Sequence, residues 1–261
     1  CDALSAYRQL PMAVVLPAST DQVAAAVRVC AGLEIPIIPW GAGTGLSGGA
    51  LARQDGVVIS LAGMNRILDI DLNNGTATVE PGVTNLAVSN AVADAGFYYA
   101  PDPSSQLACS IGGNIAENSG GVHCLKYGTT TNNVLGLEIV LADGEIVRFG
   151  GKAMDREGYD LLGLLTGSEG LLGITTEATL RILPRPELAR AMMAVYDSVE
   201  RAGQAVAHII GAGMIPAGME IMDKLSIEAT DDFCGAGYPR NVAALLLVEL
   251  DGSSTDVDRH M

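Results

Sequence analysis

The sequence predicts an α+β protein in two parts, and three observations carry that expectation. Strand and helix open the chain and give way to antiparallel hairpins marked by Asn74-Gly75 and Asp143-Gly144. Two prolines, Pro184 and Pro186, then interrupt the pattern. Beyond them strand and helix alternate as βαβαβ with few glycines inside the elements. The boundary therefore falls near residue 186, with a first domain over 1–186 and the start of a second over 187–261.

Met12 to Leu16 reads as the first strand. Ser19 or Thr20 caps a helix whose Val23, Val27 and Cys30 recur at three-to-four spacing. Residues 35–39 are short and extended, and a glycine-dense loop follows. Val57–Leu61 and Ile67–Ile70 are strands, and Asn74-Gly75 predicts a type I′ turn from the latter into Thr76–Glu80. Thr84 to Ala95 is a helix after Pro81-Gly82, and Asp143-Gly144 joins Leu137–Leu141 to Ile146–Phe149. Asp160–Leu165 is a short helix and Ile174–Leu183 a long strand. The second part reads as strand Ala191–Tyr196, helix Ser198–Ile210, strand Ala217–Ile221, helix Asp223–Thr230 and strand Val242–Leu250.

Composition narrows the function classes. With 30 acidic and 15 basic residues the net charge is −15, which argues against a nucleic-acid partner. At 49% hydrophobic the chain is too apolar for disorder, and no run of eighteen uncharged apolar residues offers a membrane span. Cys1, Cys30, Cys109, Cys124 and Cys234 form no CxxC pair and read as reduced thiols, which suggests a cytoplasmic setting. The start at Cys1-Asp2-Ala3 has neither a signal peptide nor an initiator Met, so a fragment of a longer reading frame is expected.

Glycine is in excess, 32 of 261 residues, and three segments concentrate it. The first, Trp40 to Gly49, contains Gly43-x-Gly45-x-x-Gly48, formally a dinucleotide fingerprint. That fingerprint needs a helix directly after it; here the next element is the strand Val57–Leu61, so the Rossmann reading fails. Bare backbone can still turn successive N–H groups inward as an anion-binding nest, with Thr44 and Ser47 adding hydroxyls. The second segment is Ile111 to Gly121, introduced by Pro101 to Ser105; the third is Gly167 to Ile174. Three polar, glycine-rich loops in one region suit an extended ligand with a pyrophosphate, hydroxylated linkers and a flat ring.

This set resembles the FAD-binding domain of the vanillyl-alcohol oxidase/p-cresol methylhydroxylase family. The run Ala108 to Gly128, with Leu4 to Pro11 and Arg181 to Pro184, is similar to the glycolate oxidase FAD subunit and D-lactate dehydrogenase group within it. The resemblance implies a two-subdomain FAD-binding domain of the p-cresol methylhydroxylase type followed by an incomplete ferredoxin-like cap. By it, Gly41, Ala42, Gly43, Thr44, Gly45, Leu46 and Ser47 wrap the pyrophosphate. Pro81, Gly82 and Val83, with Asp102, Pro103, Ser104 and Ser105, line the flavin and ribityl. So do Gly112, Gly113, Asn114, Ala116, Glu117 and Asn118, followed by Ser119, Gly120 and Gly121. Gly167, Glu169, Gly170, Gly173 and Ile174 hold the ribose and adenine side. Trp40 stands where similar proteins often carry Arg before the first glycine.

Relatives that attach flavin covalently use a His in the first loop; residues 41–49 hold none, so FAD is expected to be non-covalent. Cys109 reads as a buried structural thiol. The resemblance implies oxidation of glycolate or D-lactate to the 2-oxo acid, with hydride passing to flavin N5 and electrons leaving through companion subunits, one an iron–sulfur protein. Such partners would allow peripheral attachment at the inner face of a membrane. His123, His208 and His260 show no metal-ligand spacing; a divalent metal site and the catalytic base are expected beyond Met261. His123, Lys126 and Tyr127 read as loop residues beside the second segment, and His208 as a packing or surface residue on its helix. Two functions stay open: a 2-hydroxy-acid dehydrogenase or oxidase, and a flavin-binding or electron-transfer module without its own substrate site. A UDP-N-acetylmuramate-forming reductase of the same fold is disfavoured by the match around 108–128.

Overall fold

Ser19 starts the first helix: its backbone is extended and its hydroxyl accepts the Gln22 N–H at 3.4 Å. The computed structural model describes residues 2–153 and 158–260. In it this helix, α1 (Thr20–Gly32), connects β1 (Ala13–Val15) to β2 (Ile37–Trp40). Both strands run parallel to β3 (Val57–Ser60), which lies between them and is buried along its whole length. The expected apolar face of α1 is the buried one: Val23, Val27 and Cys30 pack with Ile59, Leu61, Val140 and Ile174. As expected, no helix lies between the first glycine loop and β3.

The chain then turns antiparallel through β4 (Ile67–Asp71) and β5 (Thr76–Val79). Next come α2 (Asn85–Val92), β6 (Phe97–Tyr98), α3 (Ile111–Glu117) and α4 (Cys124–Tyr127). After them β7 (Val134–Val140), β8 (Ile146–Gly150), α5 (Leu161–Leu165), β9 (Ile174–Arg181) and β10 (Leu183–Pro184) follow in order. Five of these strands form one antiparallel sheet in the order β4-β5-β9-β7-β8, while β6 and β10 pair separately. Alternate residues of β9, from Ile174 to Leu180, are buried on one sheet face. Ala77, Val79, Leu137, Ile139, Ala178 and Leu180 meet Val88, Ile111, Ile115 and Leu162 of the helices there.

Two local expectations need correction. A type I′ turn requires positive φ at both central residues, and of Asn74 and Gly75 only Gly75 is left-handed, at φ +62°. Four residues, 72–75, join β4 to β5, and the Asp71 carboxylate accepts the Asn74 backbone N–H at 3.1 Å and its amide Nδ2 at 2.7 Å. That Asx contact stabilises a longer loop in place of the two-residue turn. The second correction concerns Ile111–Glu117, expected as loop and found as helix. Two glycines disfavour a helix on propensity alone, but tertiary contacts described below fix it.

After Pro184 come β11 (Leu188–Tyr196), α6 (Val199–Gly211), β12 (Gly218–Asp223), α7 (Lys224–Cys234), β13 (Ala244–Gly252) and α8 (Ser254–His260). The three strands form an antiparallel sheet with β13 central, where Leu245 and Leu246 are fully buried. By contact the chain divides into two compact units: Cys1–Gly121 with Gly128–Pro184, and Val122–Tyr127 with Arg185–Met261. Helix α4 thus belongs with the second sheet. Lys126 Nζ donates to the Asp251 backbone oxygen at 2.6 Å and pairs with its carboxylate, and the Tyr127 hydroxyl donates to Asp251 Oδ2 at 2.5 Å.

Candidate functional site

α3 is the hub on which the three glycine-rich segments meet. Its first N–H groups are all taken: Ile111 donates to Val83 O and Gly112 to Pro81 O, both at 2.8 Å, and Gly113 donates to Ser110 Oγ at 3.2 Å. Its last carbonyls are taken too, Ile115 by Gly167 N–H at 2.7 Å and Ala116 by Glu169 N–H at 2.8 Å. The first glycine loop lies against the N-terminal end. A Cβ added at Gly41 would stand 2.7 Å from Ser110 Oγ, and one at Gly112 would stand 2.8 Å from Pro81 Cβ. A side chain at either position would press on the Ser110 hydroxyl or on the Pro81 ring, so the close approach of the loop and of Pro81 to α3 depends on glycine.

The cleft so formed has a polar end and an apolar end. At the polar end Gly41 to Gly45, Ser47 and Gly49 face Ser105, Gly113, Asn114, Ala116, Glu117 and Ser119. None of the N–H groups of residues 42–47 meets an acceptor among the described residues, whereas Gly48 N–H donates to Asp2 Oδ2 at 2.9 Å. Gly43, at φ +66°, turns that run. The Asn114 amide Nδ2, 1% exposed, also has no hydrogen-bond partner. A buried donor in that state carries a desolvation cost that an acceptor on a ligand would remove.

At the apolar end the same cleft continues between Pro39, Trp40, Leu61, Pro81, Ile115, Ile139, Leu165 and Ile174. Gly170 and Gly173 complete this wall; with Gly167 and Glu169 they hold positive φ, from +53° at Glu169 to +155° at Gly173. The left-handed turn at Glu169 is strained for a side-chain-bearing residue.

Eighteen of the residues picked out from sequence line this cleft: six in Gly41–Ser47, Pro81, Ser105, six in Gly112–Ser119, and Glu169, Gly170, Gly173 and Ile174. Others stand behind it. Val83 is in the core, and Gly82 is wedged against the Leu61 and Met64 carbonyls. Asn118 closes α3 in the left-handed conformation, and its side chain accepts from Thr131 N–H at 2.9 Å. Gly121 abuts Asp102, Pro103 is buried, and Leu46 and Ser104 are exposed. Gly120 and Gly167 do not face the cleft. His123, Lys126 and Tyr127 make their contacts in the second unit, where His123 Nε2 lies 3.5 Å from Glu249 Oε1. His208 is exposed on α6.

Sequence reasoning missed Ser110, Ser168, Thr175 and the apolar wall Leu61, Ile139 and Leu165. Ser110 had a signal, since Ser three residues ahead of Gly113 fits an N-cap; the wall residues had none, being ordinary core residues until the sheet places them. Asp2 was missed as well.

A run of unpaired N–H groups, a buried amide donor and an apolar slot suit a dinucleotide carrying a flat ring. No Lys or Arg lines either end, while Asp2, Glu117 and Glu169 do. The anion must therefore be held by backbone and hydroxyl donors, and the geometry supplies them. Fold and cleft together define a flavin-dinucleotide-binding protein. The FAD binding domain family matches residues 11–150, and the C-terminal domain of the FAD linked oxidases matches residues 185–261. The chain belongs to this FAD-binding family, and its fold is the α+β, p-cresol methylhydroxylase-type arrangement expected from the sequence.

It is 56% identical over 257 residues to the glycolate oxidase subunit GlcD of Escherichia coli K12, covering 98% of this chain and 52% of that protein. It is 45% identical to the same-named subunit of Bacillus subtilis 168, covering 100% and 56%. Against the D-lactate dehydrogenase of Anaerostipes hadrus identity is 36%, covering 98% and 55%. The chain thus spans about half the length of the curated relatives it matches. Among solved structures, alkyldihydroxyacetonephosphate synthase superposes with a TM-score of 0.80 over 95% of this chain and 48% of that one, at 22% identity, which shows the fold alone.

Proposed function

We propose that this chain is the FAD-binding part of an oxidoreductase that converts a small 2-hydroxy acid, glycolate or D-lactate, to its 2-oxo acid. The observation that carries the proposal is the donor-lined, cation-free cleft, in a chain sharing over half its residues with a glycolate oxidase subunit along nearly its whole length. Bound FAD supplies the two-electron acceptance. In this reading the N–H groups of residues 42–47 hold the pyrophosphate. Asn114 and the Ser105 and Ser119 hydroxyls bond the polar linker, and Pro81, Ile139, Leu165 and Ile174 exclude water from the ring. Residues 1–186 form the cofactor domain, apart from 122–127, which pack with the second unit, and 187–261 belong to the substrate domain.

The flavin is held non-covalently, since residues 41–49 contain no His and Cys109, 4% exposed, lies in the interior. Electrons leave through companion subunits that include an iron–sulfur protein. No helix among the described residues is long and apolar enough to cross a membrane; attachment at a membrane face would come through those partners.

The test is anaerobic mixing of the holoprotein with glycolate and, separately, D-lactate. Loss of the flavin's visible absorbance with either one is the expected result; bleaching by neither, with FAD bound, overturns the substrate assignment. Acid precipitation of the same sample leaves the yellow colour in the supernatant, and a yellow pellet would overturn the non-covalent assignment.

A further inference from the structure

The segment Asp2–Leu4 crosses the first glycine loop, and its contacts are specific. Asp2 Oδ2 accepts the Gly48 N–H at 2.9 Å, Asp2 Oδ1 accepts the Leu4 N–H at 2.9 Å, and Ala3 N–H donates to Gly45 O at 3.1 Å. Asp2 is buried at 9% exposure, although Ala3 to Leu10 are exposed. Its carboxylate lines the polar end of the cleft. Gly48, at φ +85°, presents its N–H to the carboxylate, and nothing lies within 4 Å of where its Cβ would be. Asp2 thus engages the N–H directly after the unpaired run 42–47 and leaves that run untouched.

From this we infer that Asp2 is a positioning residue for the cofactor loop. Its carboxylate ties the far end of the loop to the N-terminal strap, and the Ala3–Gly45 bond ties the middle. A loop with five glycines between residues 41 and 49 has a high entropy when free, so each tie removed adds to the cost of ordering it around a pyrophosphate. A charge-assisted N–H bond is the stronger kind of tie. The opposing effect is repulsion between the Asp2 carboxylate and the bound pyrophosphate. It is offset because Asp2 spends its acceptors on Gly48 and Leu4 rather than pointing into the run.

The inference rests on the FAD assignment above and fails separately from it. The full chain is stripped of flavin and titrated with FAD by quenching of flavin fluorescence, as wild type, Asp2→Ala and Asp2→Asn. The thermal midpoint of each apoprotein is measured alongside, with amide exchange of the peptide spanning Gly43–Ala50. Asp2→Ala is expected to raise the FAD Kd about tenfold and to speed exchange at Gly48, leaving the apoprotein midpoint unchanged. Asp2→Asn, which retains a carbonyl acceptor, recovers most of the affinity. An unchanged Kd for Asp2→Ala, a tighter one, or a loss matched by a lowered apoprotein midpoint overturns the positioning role. Failure of the wild type to bind FAD would instead overturn the cofactor assignment.

Discussion

At the scale of single residues, glycines of equal standing in the sequence do different things. Gly82 was expected to line the flavin, but a Cβ there would stand 2.6 Å from Leu61 O and 2.7 Å from Met64 O, both backbone atoms. Its N–H also donates to Met64 O at 2.7 Å, so the residue cannot shift away. Gly32, the last residue of α1, has nothing within 4 Å of its Cβ position and lies outside the positive-φ region. The same substitution therefore has opposite signs at the two sites. Gly82→Ala is expected to destabilise by about 2–3 kcal/mol through overpacking. Gly32→Ala is expected to stabilise by roughly 0.5 kcal/mol through helix propensity and a less free unfolded chain. Urea midpoints of the two variants check both; an unchanged midpoint for Gly82→Ala would contradict the packing. Composition counted the glycines and motif spacing located the loops. Which glycines face a ligand and which face a carbonyl was not legible, because that depends on a neighbouring backbone brought in from elsewhere in the chain.

Elements were legible where one local signal decided them. The cap at Ser19 and the Val23-Val27-Cys30 spacing gave α1 its start and its buried face, and Asp143-Gly144 gave the β7–β8 connection, where Gly144 sits at φ +81°. α3 was not legible, since its first N–H groups are stabilised by Pro81, Val83 and Ser110, acceptors that no window around residues 111–117 reveals entirely. The β4–β5 hairpin shows a further layer, its ends held by carboxylates. Glu80, 3% exposed, accepts the Arg66 backbone N–H at 2.7 Å and its guanidinium at 2.8 Å. Burial alone would raise its pKa, but the bonds from Arg66 prevail and hold it below the usual carboxylate value. Asp71 is likewise held low, chiefly by Lys152 at 2.8 Å and by Asn74. Because the folded pKa lies below the unfolded one, this stabilisation is complete above the unfolded carboxylate pKa, about 4, and is lost as the pH falls below it. Glu80→Gln should therefore lower the urea midpoint clearly at pH 7, and the gap from wild type should narrow from about pH 5 towards pH 3. A gap that stays constant over that range would mean the Arg66 contact contributes no pH-dependent stability.

For the whole molecule the question is how a chain of net charge −15 collects a dianionic cofactor. Asp2, Glu117 and Glu169 add three carboxylates to the wall of the cleft, and Glu117 accepts from the Ser47 hydroxyl at 3.1 Å, close to the donors proposed for the pyrophosphate. Distant charges and nearby carboxylates act on the approaching ligand with the same sign, whereas backbone donors attract only at hydrogen-bond range. Approach is thus opposed and capture is local. Salt separates the two effects: raising ionic strength from about 0.01 to 0.15 M shortens the screening length from about 30 to 8 Å, which removes long-range repulsion and leaves short N–H bonds nearly untouched. The association rate of FAD with the apoprotein, followed by stopped-flow fluorescence, should rise several-fold over that range while the dissociation rate changes little. A site built on lysines or arginines would show the reverse, with association slowing as salt is added. A fall in the association rate would thus place a cation on the entry path and contradict a pyrophosphate held by backbone donors alone.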